Sequence, residues 1–377
     1  MSKVITVYIN GTDEPSDFAT YYPGTGLRRF NFTTSLANVL NELTVKDQNN
    51  ISICLDGCGI NNPYYIDLGG IFSWNLEAQI NELVDDIKER LGNEKITLNL
   101  YGFSRGGAGV YLLAKKLKDI DPEQLEINIL AFEPVPGNFV YGVYVDKFLG
   151  LNRTLSSMIS DLSDCRNLNR VQSLYTNEPL PDITCHAPIL PAFHATCEHT
   201  VDVVPGCHKN AESFTVRYDA RNKYFITPYN VQSAIAFRLV RTFLQECGTI
   251  FDDTKFELYS QLQESTPLKT LYNSYSESNR LLRTTRHMHF SNSITTSSGK
   301  SFLNKDDQTR DTGNFEASNC SLSVKDPAPT PSYWNGQKSA ARVVYTTLLF
   351  AAGLYAISRT TGFNEVTKRL PRLRSNI

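Results

Sequence analysis

The stretch that decides the fold is residues 96–107, ITLNLYGFSRGG. Its first half is a short apolar run that predicts a β-strand, and the apolar positions between 110 and 117 predict a helix after it. Between them, residues 102–106 read Gly-x-Ser-x-Gly, a turn whose glycines let the backbone bend sharply from strand to helix. A serine on such a turn is held above the sheet edge, near a helix N-terminus that favours negative charge. The pattern therefore predicts that Ser104 is a nucleophile.

Further strands are predicted on both sides of this turn, at residues 3–9, 51–55, 127–132 and 170–175. Apolar residues at helical spacing predict a helix that ends near residue 91 and a long helix at about 231–247, with a shorter helix near 254–264. Strands that alternate with helices indicate an α/β fold with a mostly parallel, doubly wound sheet.

The composition divides the chain into three predicted regions. Residues 1–265 form the α/β unit, in which a helical stretch at 138–165 and a long loop at 176–212 make residues 138–212 an insertion or lid region. Residues 266–340 are a polar Ser/Thr-rich extension and linker, and residues 341–377 are an apolar helix with a basic tail.

The charge balance excludes some classes of function. The chain has 377 residues with 37 Lys and Arg against 39 Asp and Glu, a net charge of −2, so no basic surface for nucleic acid is expected. The first residues contain no apolar segment of the kind found in a Sec signal peptide, and eight cysteines over this length are not a disulfide scaffold. We expect a cytoplasmic protein or one exported without a Sec signal.

A serine nucleophile needs a base, and the base needs an acid to orient it. His208 follows a β-branched run and a turn, as suits a histidine at a strand end, and Glu133 follows the predicted strand after the nucleophile helix. Asp202 and Asp56 are alternative acids. The other histidines also stay open as bases: His186, His194, His199, His287 and His289.

Five segments together resemble an α/β-hydrolase family marked by a GFSRG elbow, which includes bacterial type VI secretion phospholipase effectors. They are Asn10-Gly11-Thr12, residues 55–59 (LDGCG), residues 101–106 (YGFSRG), residues 132–135 (FEPV) and residues 205–208 (PGCH).

The resemblance implies roles for particular residues. Ser104 would be the nucleophile, His208 the base and Glu133 the acid, with backbone amides at Gly11, Thr12 and Arg105 forming the oxyanion hole. The chain departs from the family pattern at Asn10 and Glu133, where the family has Asp, and at residues 209–212 (KNAE), where the family has a glycine run.

These observations predict an α/β-hydrolase-like serine hydrolase that cleaves a carboxylic ester without a cofactor or a metal. The favoured substrate class is a lipid or phospholipid. The alternative, suggested by residues 209–212, is an inactive hydrolase fold that binds a membrane or a protein partner. A third hypothesis is a zinc site built from the Cys and His residues between Cys185 and His208.

The most apolar run in the chain is residues 343–357, VVYTTLLFAAGLYAI, followed by a basic tail. It is shorter than the roughly 20 residues that span a bilayer. Two hypotheses follow: a buried helix that covers the sheet or a lid, or a peripheral membrane anchor whose tail contacts anionic headgroups.

Overall fold

The computed structural model describes residues 3–16, 31–60, 75–92, 94–136, 155–178, 188–208, 212–218, 224–254, 256–259, 262–263 and 267–271, and five two-residue strands between 289 and 323. These residues belong to the first of two compact units, Met1–Pro327. The second unit, Ala328–Ile377, lies outside the described residues and includes the apolar run at 343–357.

The strands are, in chain order, β1 (Lys3–Ile9), β2 (Asn31–Ser35), β3 (Asn50–Leu55), β4 (Ile96–Phe103), β5 (Leu125–Phe132), β6 (Asp161–Leu162), β7 (Leu168–Glu178), β8 (Ile189–Leu190), β9 (Ala192–Phe193), β10 (Glu198–Cys207), β11 (Ser213–Tyr218), β12 (Tyr224–Pro228), β13 (Phe256–Leu258), β14 (His289–Phe290), β15 (Ile294–Thr295), β16 (Ser301–Phe302), β17 (Asn314–Phe315) and β18 (Leu322–Ser323). The helices are α1 (Leu36–Leu43), α2 (Leu76–Arg90), α3 (Arg105–Lys116), α4 (Leu155–Ile159) and α5 (Val231–Glu246).

The central sheet has six strands in the order β10-β7-β5-β4-β1-β3 within the described part of the chain. Each neighbouring pair in it is parallel, so the carboxyl ends of all six strands lie at one edge. The direction of winding reverses between β1 and β4, and in open α/β sheets ligands bind outside the carboxyl ends at such a switch point. The predicted α/β fold with a mostly parallel sheet is confirmed.

Apolar layers cover both faces of this sheet because its central strands β1, β4 and β5 are buried at nearly every position. On one face Ile5, Val7 and Ile9 of β1 pack with α2 and α3; on the other, Tyr8 packs with α1 and α5. These side chains are fully buried, and each such burial contributes about 1.5–3 kcal/mol. The nucleophile turn therefore stands on a sheet that is supported from both sides.

The structure differs from the sequence-based expectation in the following stretches. Residues 198–207 lie inside the stretch expected to be a long loop, yet they form β10, a ten-residue edge strand parallel to β7. Residues 256–258, expected within a short helix, form β13 of a second sheet with the order β13-β12-β11-β2. In both cases the pairing with a distant strand prevails over a weak local pattern.

The predicted region boundaries at 265 and 340 stay a prediction. Residues 138–154 of the expected helical insertion lie outside the described residues, and its described part, residues 155–165, contains α4 and the short strand β6.

Candidate active site

Ser104 occupies the turn between β4 and α3 with a strained backbone. Its φ is 53° and its ψ is −118°, a conformation that costs a non-glycine residue of order 1–3 kcal/mol. The tight packing explains the flanking glycines: a Cβ at Gly106 would lie 2.1 Å from the Ile9 carbonyl oxygen, and one at Gly102 would lie 2.2 Å from the Gly106 carbonyl oxygen. The hydroxyl is thus presented at the carboxyl edge of the sheet by a turn that only this glycine pattern permits.

Glu133 follows β5, the strand next to β4, and it is fully buried. Its backbone also has a positive φ, 51°, and its amide donates to the Leu174 carbonyl at 2.8 Å. The Thr176 amide donates to carboxylate Oε1 at 2.5 Å. Backbone groups of β7 therefore hold both the main chain and the carboxylate of Glu133.

His208 bridges these two residues in one line of hydrogen bonds. Its Nε2 lies 2.9 Å from Ser104 Oγ and its Nδ1 lies 2.9 Å from Glu133 Oε2. The imidazole is 6% exposed, and the Phe103 ring packs against it with centroids 4.7 Å apart. The structure thus brings together the three residues that the sequence proposed as nucleophile, base and acid.

The alternative acids are engaged elsewhere. Asp202 accepts a hydrogen bond from Gln172 Nε2 at 2.9 Å, on β10 and β7, and Asp56 accepts one from the Ser16 amide at 2.6 Å. Neither residue makes a described contact with His208.

Two of the other histidines have described contacts with residues other than Ser104. His194 Nδ1 lies 2.8 Å from the Thr196 hydroxyl, and the His199 ring packs on Phe193 with centroids 5.5 Å apart. His186 and His287 lie outside the described residues, and for His289 only the backbone strand β14 is described.

The loop after β1 approaches the nucleophile turn. A Cβ at Gly11 would lie 3.7 Å from Ser104 Cβ, so the Gly11 and Thr12 backbone passes beside the serine. The Arg105 amide begins α3, where the first N–H groups have no acceptor within the helix. The loop and the start of α3 are the two places where the family resemblance implies oxyanion donors.

Asn10, at the start of this loop, is held by a polar network that is buried behind the site. Its Oδ1 accepts from the Ser35 hydroxyl at 2.5 Å, and its Nδ2 donates to Asn38 Oδ1 at 3.0 Å and to the Leu55 carbonyl at 3.1 Å. The Cys54 thiol adds a contact to Asn38 Oδ1 at 3.3 Å, and burial raises its pKa to about 12. An aspartate at position 10 would place an oxygen against two acceptors, Asn38 Oδ1 and the Leu55 carbonyl. The surrounding residues therefore explain the asparagine.

The Arg105 side chain links the nucleophile helix to the turn that carries the acid. It is 2% exposed, and its Nη1 donates to the Val135 carbonyl at 3.2 Å. The Val135 amide in turn donates to the Ser104 carbonyl at 3.0 Å. The two strained residues of the site are therefore tied together through backbone groups.

The structure does not gather metal ligands in the part of the chain that it describes, where no three His, Cys, Asp or Glu side chains converge. Cys185 and His186 of the zinc hypothesis lie outside that part, as does the side chain of Cys207. Nor is any helix among the described residues long and apolar enough to cross a membrane.

Sequence reasoning missed three features of this region: the Thr176 amide on Glu133, the Asn38 support of Asn10, and a buried carboxyl at Glu212 beside Tyr101. Polar residues of these types are common in any sequence. Only Glu212 had a local signal, its position four residues after the predicted base.

Comparison with known families and curated proteins gives no match to any family model and none to a curated protein. Distant similarity to solved structures exists. An uncharacterized protein from Pseudomonas aeruginosa is 12% identical with a TM-score of 0.41, over 74% of this chain and 50% of that one.

Two further structures are similar at the same low level. A Tle1 effector, solved bound to the VgrG spike of the type 6 secretion system, is 15% identical with a TM-score of 0.32, over 56% of this chain and 51% of that one. An S-formylglutathione hydrolase from Agrobacterium tumefaciens is 13% identical with a TM-score of 0.34, over 66% of this chain and 85% of that one. The chain spans about half the length of the first two proteins. Similarity this distant does not assign an activity, which has to be argued from the site.

Proposed function

We propose that this chain is a serine hydrolase that cleaves a carboxylic ester. The observation that carries the proposal is the line of hydrogen bonds from Ser104 through His208 to Glu133, at 2.9 Å for each step. These distances are within the reach over which a base takes a proton from a serine hydroxyl. The strained backbone at Ser104 and Glu133 supports the same interpretation, since strain of this kind clusters at active sites.

In the proposed reaction Ser104 Oγ attacks the ester carbonyl carbon while His208 Nε2 takes the hydroxyl proton. Glu133 holds the proton of Nδ1, so that Nε2 is free to accept, and stabilises the imidazolium that forms. His208 then returns the proton to the leaving alcohol. A water molecule, deprotonated by the same nitrogen, releases the acid from Ser104.

The negative charge on the carbonyl oxygen needs donors that are in place beforehand. The Arg105 amide at the start of α3 and the Gly11 and Thr12 amides beside Ser104 are the groups proposed for this role. Donors that are fixed in advance lower the barrier because they need no reorganisation during the reaction; one such donor contributes about 2.7–4 kcal/mol. The buried network around Asn10 would keep the loop in this arrangement.

A fluorophosphonate probe tests the proposal, since it labels a serine only where a base activates it. We expect labelling of the wild-type chain and none of Ser104→Ala. Ser163→Ala is the matched control, because Ser163 is an exposed serine whose described hydrogen bonds go to Asp161, and it should label like wild type. Absence of labelling in every detergent and lipid condition would refute the enzyme and favour the inactive scaffold.

We further propose a lipid or phospholipid ester as the substrate class. The support is the sequence resemblance to phospholipase effectors and the apolar run at 343–357 with its basic tail, which suits contact with a lipid surface.

Vesicles of phosphatidylcholine and phosphatidylglycerol test the lipid assignment. We expect fatty acid release that depends on Ser104 and that falls in a variant with Leu348→Asp and Leu349→Asp, while hydrolysis of p-nitrophenyl butyrate stays unchanged. Turnover of the soluble ester without any release from vesicles would contradict the lipid assignment and leave the hydrolase standing.

A further inference from the structure

A buried carboxyl lies close to the proposed site but takes no part in the line of hydrogen bonds described above. Glu212 is 5% exposed, and its Oε1 accepts a hydrogen bond from the hydroxyl of Tyr101. Its second oxygen, Oε2, is buried without a hydrogen-bond partner among the residues that the structure describes. A buried polar atom of this kind carries a cost, so its presence calls for an explanation.

The two partners belong to the segments that carry the base and the nucleophile. Glu212 is four residues after His208 and directly precedes β11, whereas Tyr101 is three residues before Ser104 on β4. Tyr101 is itself fully buried, with the Tyr8 ring packed edge-on at 6.3 Å. The hydrogen bond therefore connects Glu212, four positions after the proposed base, to the strand that presents the serine.

The surroundings of the carboxyl favour its protonated form. Burial, the largest effect, raises the pKa of Glu212 well above its usual value; the Tyr101 hydroxyl opposes this, and the nearby Glu14 carboxylate adds to it. Among the described residues, Tyr101 on β4 and Glu14 in the loop after β1 are the titratable groups that act on it. Burial also raises the pKa of Tyr101 well above its usual value, so the interior favours the uncharged form of both partners.

We propose that Glu212 is a positioning residue that, through its hydrogen bond with Tyr101, limits the movement of His208 relative to β4. Ser104 and Glu133 are fixed by their own backbones, but His208 lies at the end of an edge strand. Because four residues span at most about 14 Å, an anchor at Glu212 restricts where His208 can move. A displacement of about 1 Å in such a site can cost 10²-fold in rate. This inference rests on the proposed function.

Kinetics of three variants test the positioning role. Glu212→Ala should lower kcat by about 10- to 100-fold with little change in KM. Glu212→Gln, which is neutral and of the same shape, should stay within about threefold of wild type. Tyr101→Phe removes only the hydroxyl and serves as a second variant where the alanine variant fails to fold; it should lower kcat in the same way. An unchanged kcat in Glu212→Ala and Tyr101→Phe would overturn the proposal, as would a glutamine variant as slow as the alanine variant.

The pH profile separates positioning from simple packing. Ionisation of Glu212 would place a charge in the interior and free His208 to move. Wild-type kcat should therefore fall at alkaline pH, whereas kcat of Glu212→Gln should not. An alkaline fall of equal size in both proteins would contradict the proposal.

Thermal unfolding gives a readout that does not need activity. The folded state holds the Glu212 proton to higher pH than the unfolded state does, so wild-type stability declines as pH rises from about 5. The Tm of Glu212→Gln relative to wild type should therefore increase with pH. A Tm difference independent of pH would contradict a Glu212 that keeps its proton in the folded state. If Ser104 proves unreactive, the hydrolase fails while this measurement still decides the state of Glu212.

Discussion

Replacing Glu133 by glutamine should nearly abolish activity without unfolding the protein, because the structure fixes which way the new amide points. The Thr176 amide donates to Oε1 at 2.5 Å and His208 Nδ1 lies 2.9 Å from Oε2. A glutamine that keeps its oxygen toward Thr176 directs its NH₂ group at Nδ1. The imidazole must then carry its proton on Nε2, where it donates toward Ser104 and cannot accept.

In the opposite orientation the glutamine oxygen accepts the Nδ1 proton, which restores the productive tautomer. The glutamine NH₂ group then faces the Thr176 N–H group, and both are donors. Leaving the buried Thr176 amide without an acceptor costs about 1–3 kcal/mol, so that orientation is populated about 5- to 150-fold less. The missing carboxylate also no longer stabilises the imidazolium. Together these effects predict a fall in kcat of roughly 10³- to 10⁴-fold, the size seen when the acid of a triad becomes an amide.

The assay is kcat on a p-nitrophenyl ester together with the rate of fluorophosphonate labelling, with circular dichroism to check the fold. Asp202→Asn and Asp56→Asn are matched controls, since each removes a carboxylate that contacts groups other than His208, and both should stay within about twofold of wild type. A Glu133→Gln variant that keeps more than about a tenth of wild-type kcat would refute the reasoning. So would an Asp202→Asn variant that loses as much.

Three further outcomes are expected. Asn10→Asp should lower the free energy of unfolding by about 1–3 kcal/mol and reduce kcat, because it turns an oxygen toward two acceptors; unchanged denaturant unfolding would contradict this. Gly106→Ala should prevent soluble expression or cost more than about 2 kcal/mol, because its Cβ would lie 2.1 Å from the Ile9 carbonyl oxygen, and a variant with wild-type Tm would be inconsistent with that packing. Burial raises the pKa of Cys165 and of Cys197 to about 12, so at pH 8 mass spectrometry should find both unmodified by iodoacetamide until the protein is unfolded; rapid labelling of the native chain would count against their burial.

Much of the fold follows from local patterns in the sequence. The strands that became β1, β3, β4, β5 and β7 were recognised from short apolar runs, because a strand buried on both faces needs apolar side chains at nearly every position. The long helices were recognised from their apolar spacing for an equivalent reason.

The edge strand β10 and the second sheet were not recognised. The stretch at 198–207 contains charged and polar residues and a Pro-Gly pair, and its partner β7 is about 30 residues away. Strands such as β13 have only three residues, too few for any period to show. Their structure depends on pairing with distant segments, and local propensity cannot report it.

At the site, the turn at Ser104 follows from local sequence, because a strand, a Gly-x-Ser-x-Gly and a helix are contiguous and Gly102 avoids a clash within the turn; the demand for Gly106 comes from the distant Ile9 carbonyl. The sequence proposed Glu133 and His208 but left other acids and histidines open. Only the tertiary structure decided which of them meet: the base lies 104 residues from the serine and 75 from the acid in sequence. They come together because β4, β5, β7 and β10 are neighbouring parallel strands whose carboxyl ends share one edge of the sheet, and strand order is a property of the assembled sheet that no local segment contains.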